Sequence, residues 1–280
     1  MYTSDELIDR FIREDVPYID LTTLVLGISG KKGKIQFFSR EDAVLCGTEE
    51  VIKIFNRLNI DLIKSCPSGT LIKKNEIFLE GKGNAEDLHT AWKVAQNILD
   101  YSSGIATKTK KLVDKVSLIN PNLHVITTRK VIPGTKELAI KAIIAGGGFP
   151  HRLGLSETIL IFKQHLNFLG GIDELTKILK SVKAKACEKK VIAEIENLDQ
   201  AIELCKNGID GLQFDKVPCD ELKTNVTILR NINPSIVILA AGGINESNIE
   251  EYAKTGVDAI VISSVYHANP IDIVCKLTQL

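Results

Sequence analysis

The sequence predicts an α/β protein in two parts, a mixed region followed by a closed or nearly closed parallel α/β barrel. Three observations predict it. Beyond about residue 110, short apolar strands alternate with longer amphipathic helices, and parallel neighbours need such crossovers. Before about residue 105 the texture differs, with helical patterns mixed among short strands punctuated by turns. Polar residues close the later strands at one and the same end, which is where α/β barrels carry their chemistry.

The first part reads as follows. Leu7, Ile8, Phe11 and Ile12 have helical spacing and predict a helix over 5–13. Alternation through Ile35, Phe37 and their neighbours predicts a strand over 33–40. Val51, Ile52, Ile54, Phe55 and Leu58 predict a helix over 48–58. Strands are expected at 68–72 and 76–81, and a long helix over 85–101. The small residues Ser103-Gly104-Ile105-Ala106-Thr107 then join that helix to the barrel, as a turn or as a point of close packing.

In the second part, strands are expected at 124–128, 158–162, 190–195, 211–214, 236–240 and 259–263. Helices are expected at 135–145, 172–183, 198–206, 217–231 and 249–254. About six units in roughly 160 residues suit a barrel better than an open sheet. The residues that close the strands are Thr127, Arg129 and Lys130; Lys163 and His165; Glu194 and Glu196; Asp215; Gly242 and Gly243; and Ser263 and Ser264.

Bulk composition narrows the function. The chain has 280 residues, 44% hydrophobic and 25% charged, enough for a sizeable core. Lys+Arg and Asp+Glu are both 35, which argues against nucleic acid or an anionic membrane as the main partner. No apolar run approaches the roughly 18 residues of a membrane span. The acidic, polar opening stretch does not read as a signal peptide, so the expected location is cytoplasmic. The six cysteines form no C-x-x-C pair and read as small buried hydrophobes.

Arg129 and Lys130 follow a strand, and His151 and Arg152 follow the glycine-rich turn Gly146-Gly147-Gly148. Cations gathered on one rim repel one another until an anion binds between them. Arg supplies a planar fork for carboxylate or phosphate, and Lys a point charge. Glu194 and Asp215 close two later strands. Carboxylates beside phosphate-binding groups hold Mg2+, or pair with the basic residues before substrate arrives. Gly242-Gly243 lets the backbone approach an anion ahead of a helix opening near Ser247, although a Gly-Gly pair is equally a bare turn.

In order, Ser103–Thr107, Thr128-Arg129-Lys130, Pro133-Gly134, Gly146–Gly148, His151-Arg152, Glu194, Asp215, Gly242-Gly243-Ile244 and Gly256-Val257-Asp258, with Asp20-Leu21-Thr22-Thr23 near the start, resemble the quinolinate phosphoribosyltransferase family, also called nicotinate-nucleotide pyrophosphorylase. The likeness covers nearly the whole chain and is similar in particular to the ModD branch, which is associated with molybdenum transport. The resemblance implies an open α/β barrel of a type II phosphoribosyltransferase plus an N-terminal α/β sandwich domain. The implied domains are 1–106 for the sandwich, 107–267 for the barrel and 268–280 for a tail that returns to the first domain. It also implies a homodimer with shared active sites, and transfer of phosphoribosyl from phosphoribosyl pyrophosphate to a nitrogen heterocycle, with Mg2+ and release of pyrophosphate. Carried over by motif, Arg129, His151 and Arg152 face the acceptor. Lys130 contacts phosphoribosyl pyrophosphate, Glu194 and Asp215 face ribose and Mg2+, and Gly242, Gly243, Ser263 and Ser264 hold the 5′-phosphate.

The departures from the family pattern bear on the substrate. The family's Glu-Arg pair on the long helix reads Trp92-Lys93 here. Its Lys-Asp-Asn-His reads Phe162-Lys163-Gln164-His165, so a substrate-binding Lys is replaced by Phe162. Ile192, Ala241, Ser263 and Lys136 also stand where the family has other residues. Two cations that neutralise a dicarboxylate are weakened or lost, and an unpaired buried charge costs about 3–5 kcal/mol. Quinolinate is therefore expected to be a poor substrate. A second reading is an oxyanion- or nucleotide-binding protein without transfer chemistry, linked to molybdate transport.

Overall fold

The computed structural model describes residues 3–280. Along the chain the elements are α1 (Asp5–Asp15), α2 (Leu21–Val25), β1 (Lys32–Ser39), β2 (Ala43–Val44), α3 (Thr48–Arg57), β3 (Asp61–Ser65), β4 (Leu71–Ile72), β5 (Ile77–Asn84), α4 (Ala85–Ser117), β6 (His124–Thr127), α5 (Lys136–Ala145), β7 (Phe149–Pro150), β8 (Ile159–Ile161), α6 (Lys163–Leu169), α7 (Ile172–Lys185), β9 (Val191–Ile195), α8 (Leu198–Lys206), β10 (Gly211–Asp215), α9 (Cys219–Ile232), β11 (Val237–Ala241), α10 (Ile249–Ala253), β12 (Ala259–Ile262), a 3-10 turn (Ser264–His267) and β13 (Ile273–Gln279). Two compact units result. The first runs to Lys111 and adds Val131–Gly147 and Val265–Leu280; the second is Leu112–Lys130 with Gly148–Ser264. No helix among the described residues is long and apolar enough to cross a membrane.

The first unit is built on an antiparallel sheet in the order β13-β1-β5-β3. Alternate residues of β1 are buried; Ile35 and Phe37 join Ile54, Phe55, Leu88, Leu99 and Ile273 in one core. The chain's last strand lies against β1, with Phe37 opposite Cys275. Helix α5 groups with this unit although it falls within the 107–267 span expected for the barrel. Leu138 joins the unit's core, and the buried ammonium of Lys141 bonds Glu49 (2.7 Å) and Glu50 (2.5 Å).

The second unit is an all-parallel sheet in the order β7-β6-β12-β11-β10-β9-β8. Its end strands β7 and β8 do not pair with each other, so the barrel is open. Leu160, Ile192, Leu239, Ala241, Ala259 and Val261 fill its inside. Two aspartates clasp the N-terminal ends of the strands. Asp210 accepts from the Val191 amide and pairs with Lys183. Asp258 accepts from the Ile238 amide and takes both oxygens to Arg230. Asp258, part of the Gly256-Val257-Asp258 motif, thus works at the end of the barrel away from the strands' C-termini.

Two sequence expectations are corrected. The long helix does not stop at 101 but continues to Ser117, so Ser103–Thr107 lies inside it. A glycine in a helix interior normally argues for an ending. Here Gly104 is required because a Cβ would strike the backbone of Asn269 and Pro270. The expected strand at 68–72 is a turn, of which only Leu71 and Ile72 pair, with Val44 and Ala43. The neighbouring strand β3 escaped notice because all its residues are exposed and so show no alternation.

Candidate active site

Every residue singled out for chemistry except Lys93 lies in the second unit, at or just beyond the C-terminal ends of its strands. The parallel pair β6·β7 aligns Ile126 with Phe149 and Thr127 with Pro150. The residues that follow, Thr128-Arg129 and His151-Arg152, are therefore neighbours. The His151 amide donates to the Thr127 carbonyl at 3.0 Å. The Lys130 amide donates to the Thr128 hydroxyl at 3.2 Å, a tight turn that leaves Arg129 and Lys130 exposed.

Arg152 is only 8% exposed. Its guanidinium donates to the Thr158 carbonyl at 3.4 Å and stands 5.8 Å from the centre of the Phe162 ring. Burial, and then the charge of Arg129, lower its pKa. His151 is likewise lowered, by burial and then by Arg152. A buried cation with one long hydrogen bond and a like charge beside it is under-compensated, and an incoming anion relieves both costs.

Phe162 caps the start of α6 and packs against the apolar inside of the barrel. His165 stacks on it at 5.9 Å and 22°. The Phe162 amide donates to Nδ1 of His165 at 3.0 Å, so the imidazole proton sits on Nε2 when the ring is neutral. Lys163 points to Glu196 (2.6 Å), both groups being exposed.

Register places the acidic pair. Glu194 on β9 aligns with Gln213 on β10, and Gln213 donates to the Glu194 carboxylate at 2.8 Å. Burial raises the pKa of Glu194, the bond from Gln213 lowers it, and the nearby Asp215 raises it again, while Lys130 and Lys216 oppose that rise. Side-chain period two puts Gly211, Gln213 and Asp215 on the face shared with Ile192 and Glu194. Gln213 is 5% exposed, and its carbonyl oxygen finds no partner among the described residues.

Beyond β11 the chain turns through Gly242 and Gly243, at φ 84° and 72°, a region that disfavours side chains with a Cβ. A Cβ on Gly242 would collide with Oδ1 of Asp215 and come within 2.6 Å of Cγ of Lys216. The Gly243 carbonyl accepts from the side-chain Nδ2 groups of Asn245 (3.1 Å) and Asn248 (3.2 Å). Helix α10 begins only at Ile249 and has five residues. Ser263 follows β12, whose last residue aligns with Thr127, and Ser264 opens the 3-10 turn. Lys93 lies in the first unit, exposed on α4, with its ammonium 4.8 Å from the centre of the Trp92 ring.

Sequence reading missed Gln213 and Lys216. Gln213 is a polar residue at an inward position of an apolar strand, a signal present in the period-two pattern once the strand's inner face is known. Lys216 has a left-handed backbone, φ 59°, which no residue preference announces. The residues here that could hold a divalent cation are the pair Glu194 and Asp215. No group of three or more His, Cys, Asp or Glu among the described residues surrounds a metal position. Two carboxylates suit Mg2+ that arrives with phosphate ligands, because this ion keeps water and substrate oxygens in its shell.

Comparison with known proteins agrees with this arrangement. The quinolinate phosphoribosyl transferase N-terminal domain matches residues 20–103 and the C-terminal domain matches residues 105–276. A protein of Pasteurella multocida (strain Pm70) named "Putative pyrophosphorylase ModD" is 36% identical over 273 residues, covering 98% of this chain and 97% of that protein. One of the same name from Escherichia coli O157:H7 is 31% identical over 277 residues, covering 99% and 98%. The nicotinate-nucleotide pyrophosphorylase structure from Francisella tularensis superposes with a TM-score of 0.88 at 27% identity, covering 99% of this chain and 98% of that one. With the two domain models together matching residues 20–103 and 105–276, the chain belongs to the quinolinate phosphoribosyl transferase family.

Proposed function

We propose that the protein transfers phosphoribosyl from phosphoribosyl pyrophosphate to the ring nitrogen of a heterocycle bearing one carboxylate, with release of pyrophosphate. The observation that carries this reading is the meeting of three kinds of group at one end of one sheet. These are the cations Arg129, Lys130 and Arg152, the carboxylates Glu194 and Asp215, and the glycine turn Gly242-Gly243. Membership of a family of phosphoribosyl-transferring pyrophosphorylases supports it.

In this reading Arg129 and Arg152 bind the acceptor carboxylate, beside His151. Phe162 offers a flat apolar face to the ring, flanked by His165 and Lys163. Gly242, Gly243, Ser263 and Ser264 hold the 5′-phosphate, and Lys130 contacts the pyrophosphate end. Glu194 and Asp215 face the ribose, where positive charge develops at C1 as pyrophosphate leaves; fixed carboxylates there favour that charge. The same two residues are the ones that hold Mg2+, whose chemistry is to neutralise the departing pyrophosphate. The protein acts as a homodimer, in which Lys93 reaches the acceptor of the neighbouring subunit. Exposed Tyr18, Ile19, Leu21, Leu24, Val25 and Leu26 form apolar surface of the kind that a subunit contact covers. Its place is the cell interior, and its ligands are small molecules.

Quinolinate is a poor acceptor in this proposal, since Phe162 supplies no charge for a second carboxylate. Replacing Glu194 with Ala separates catalysis from binding. Turnover should fall about a hundredfold or more, while the Kd for phosphoribosyl pyrophosphate changes by less. Unchanged turnover contradicts the role assigned to Glu194.

A further inference from the structure

We propose that Lys216 is a further phosphate-binding residue of this site, holding the anionic end of the sugar phosphate between the carboxylate pair and the glycine turn. The proposal rests on the transferase reading for the identity of the ligand, but not for the existence of an anion contact.

Lys216 follows Asp215 directly and adopts φ 59°. Side chains with a Cβ rarely take this conformation, and outliers of this kind gather where a site needs a group held in place. Glycine or asparagine takes it more easily. What lysine brings instead is charge. Its amide donates to the Ala241 carbonyl at 2.8 Å, tying the loop after β10 to the end of β11. Its stem then runs against Gly242, so closely that a Cβ there would lie 2.6 Å from Cγ and 2.8 Å from the amide nitrogen. Asp215 flanks Gly242 from the same loop. The stem thus starts at the junction of the two halves of the site.

Two observations point the charge toward a ligand. The Lys216 side chain is exposed, and its ammonium makes no ion pair among the described residues. A cation beside a carboxylate pair, on the rim of a glycine turn, is complementary to a phosphate group that brings a divalent ion with it. The charge of Lys216 enters from the end of β10, beside Gly242. That position favours phosphate over a second acceptor carboxylate.

The test is calorimetric titration of wild type, Lys216→Asn, Lys216→Gly and Lys216→Arg with phosphoribosyl pyrophosphate and, separately, inorganic pyrophosphate, each with Mg2+. Asn and Gly tolerate the left-handed backbone, so both variants should keep or raise the melting temperature. Both should bind each ligand about 10- to 100-fold more weakly, as expected for one lost charge-assisted bond. The loss should shrink as salt is raised. The Arg variant should stay within a few-fold of wild type. Asn or Gly variants that bind as tightly as wild type overturn the proposal, as does an Arg variant that binds as weakly as Asn. Wild type that binds pyrophosphate through Lys216 but turns over no acceptor supports the anion contact and contradicts the transferase reading. Wild type that binds neither ligand overturns both.

Discussion

In the proposed function, substrate choice rests on a few residues around Arg152. Its guanidinium is buried, close to Arg129, and lies over the Phe162 ring. Two cations and an aromatic face suit a flat ring with one carboxylate. Phe162→Lys should therefore change the preference. A new charge at this position should raise kcat/KM for quinolinate by about tenfold or more, the value of one charge-assisted bond, and should lower it for monocarboxylate acceptors. Steady-state rates with both acceptor types check this; an unchanged ratio contradicts the role given to Phe162. Arg129, Lys130, Glu194 and Asp215 were legible in the sequence because each closes a strand whose apolar run is plain. Gln213 and Lys216 were not. An inward glutamine looks the same as an outward one until register is known, and a left-handed lysine leaves no mark on composition.

At the scale of elements, buried charge fixes α5 in the first unit. Lys141 reaches Glu49 and Glu50, and Thr3 donates to Glu50 at 2.6 Å. Burial pushes the Glu49 carboxyl up, but the bonds from Lys141 and Ser68 outweigh it and hold the group near 2. Removing one partner of a buried pair leaves the other uncompensated, so Lys141→Ala should cost about 3–5 kcal/mol, read as a lower urea midpoint. A loss below about 1 kcal/mol would show the cluster to be no stronger than a surface pair. The last strand, β13, carries a pH-dependent tie. Asp100 on α4 accepts the Ile273 amide at 3.1 Å. Burial, partly offset by that bond, and the neighbouring Asp272 raise its pKa to about 6. Between the ordinary value of 3.8 and about 6, the folded chain binds the extra proton. Stability therefore falls as pH rises through that window, and the loss is complete above it. Asp100→Asn keeps the acceptor and removes the titration. It should stabilise by about 1 kcal/mol at pH 8, after discounting for partial exposure, and by little below pH 4; equal melting temperatures at both pH values contradict this. Elements with one buried face were legible from the sequence, as the fully matching α8 shows. β3 has no buried face, and the continuation of α4 past Gly104 depends on contacts with residues 269–270 that lie far away in sequence.

For the whole molecule, the α/β class and the parallel sheet followed from strand and helix alternation, because a parallel sheet admits few other connections. The alternation suggested a closed or nearly closed barrel, and only the family resemblance implied the open one that β7 and β8, not paired with each other, form. The grouping of residues 131–147 with the first unit did not follow from the alternation, since a helix between two strands reads as a crossover whichever core it joins. The proposed function rests on what the second unit gathers at its strand ends: the cations, the carboxylate pair and the glycine turn. The most direct test is pyrophosphate release by the purified protein with phosphoribosyl pyrophosphate and Mg2+, measured in parallel with quinolinate and with a panel of monocarboxylate nitrogen heterocycles. The account predicts acceptor-dependent release with at least one monocarboxylate, and kcat/KM for quinolinate at least about a hundredfold lower, the consequence of an unpaired buried carboxylate. Efficient turnover of quinolinate, or no release with any acceptor, would contradict it.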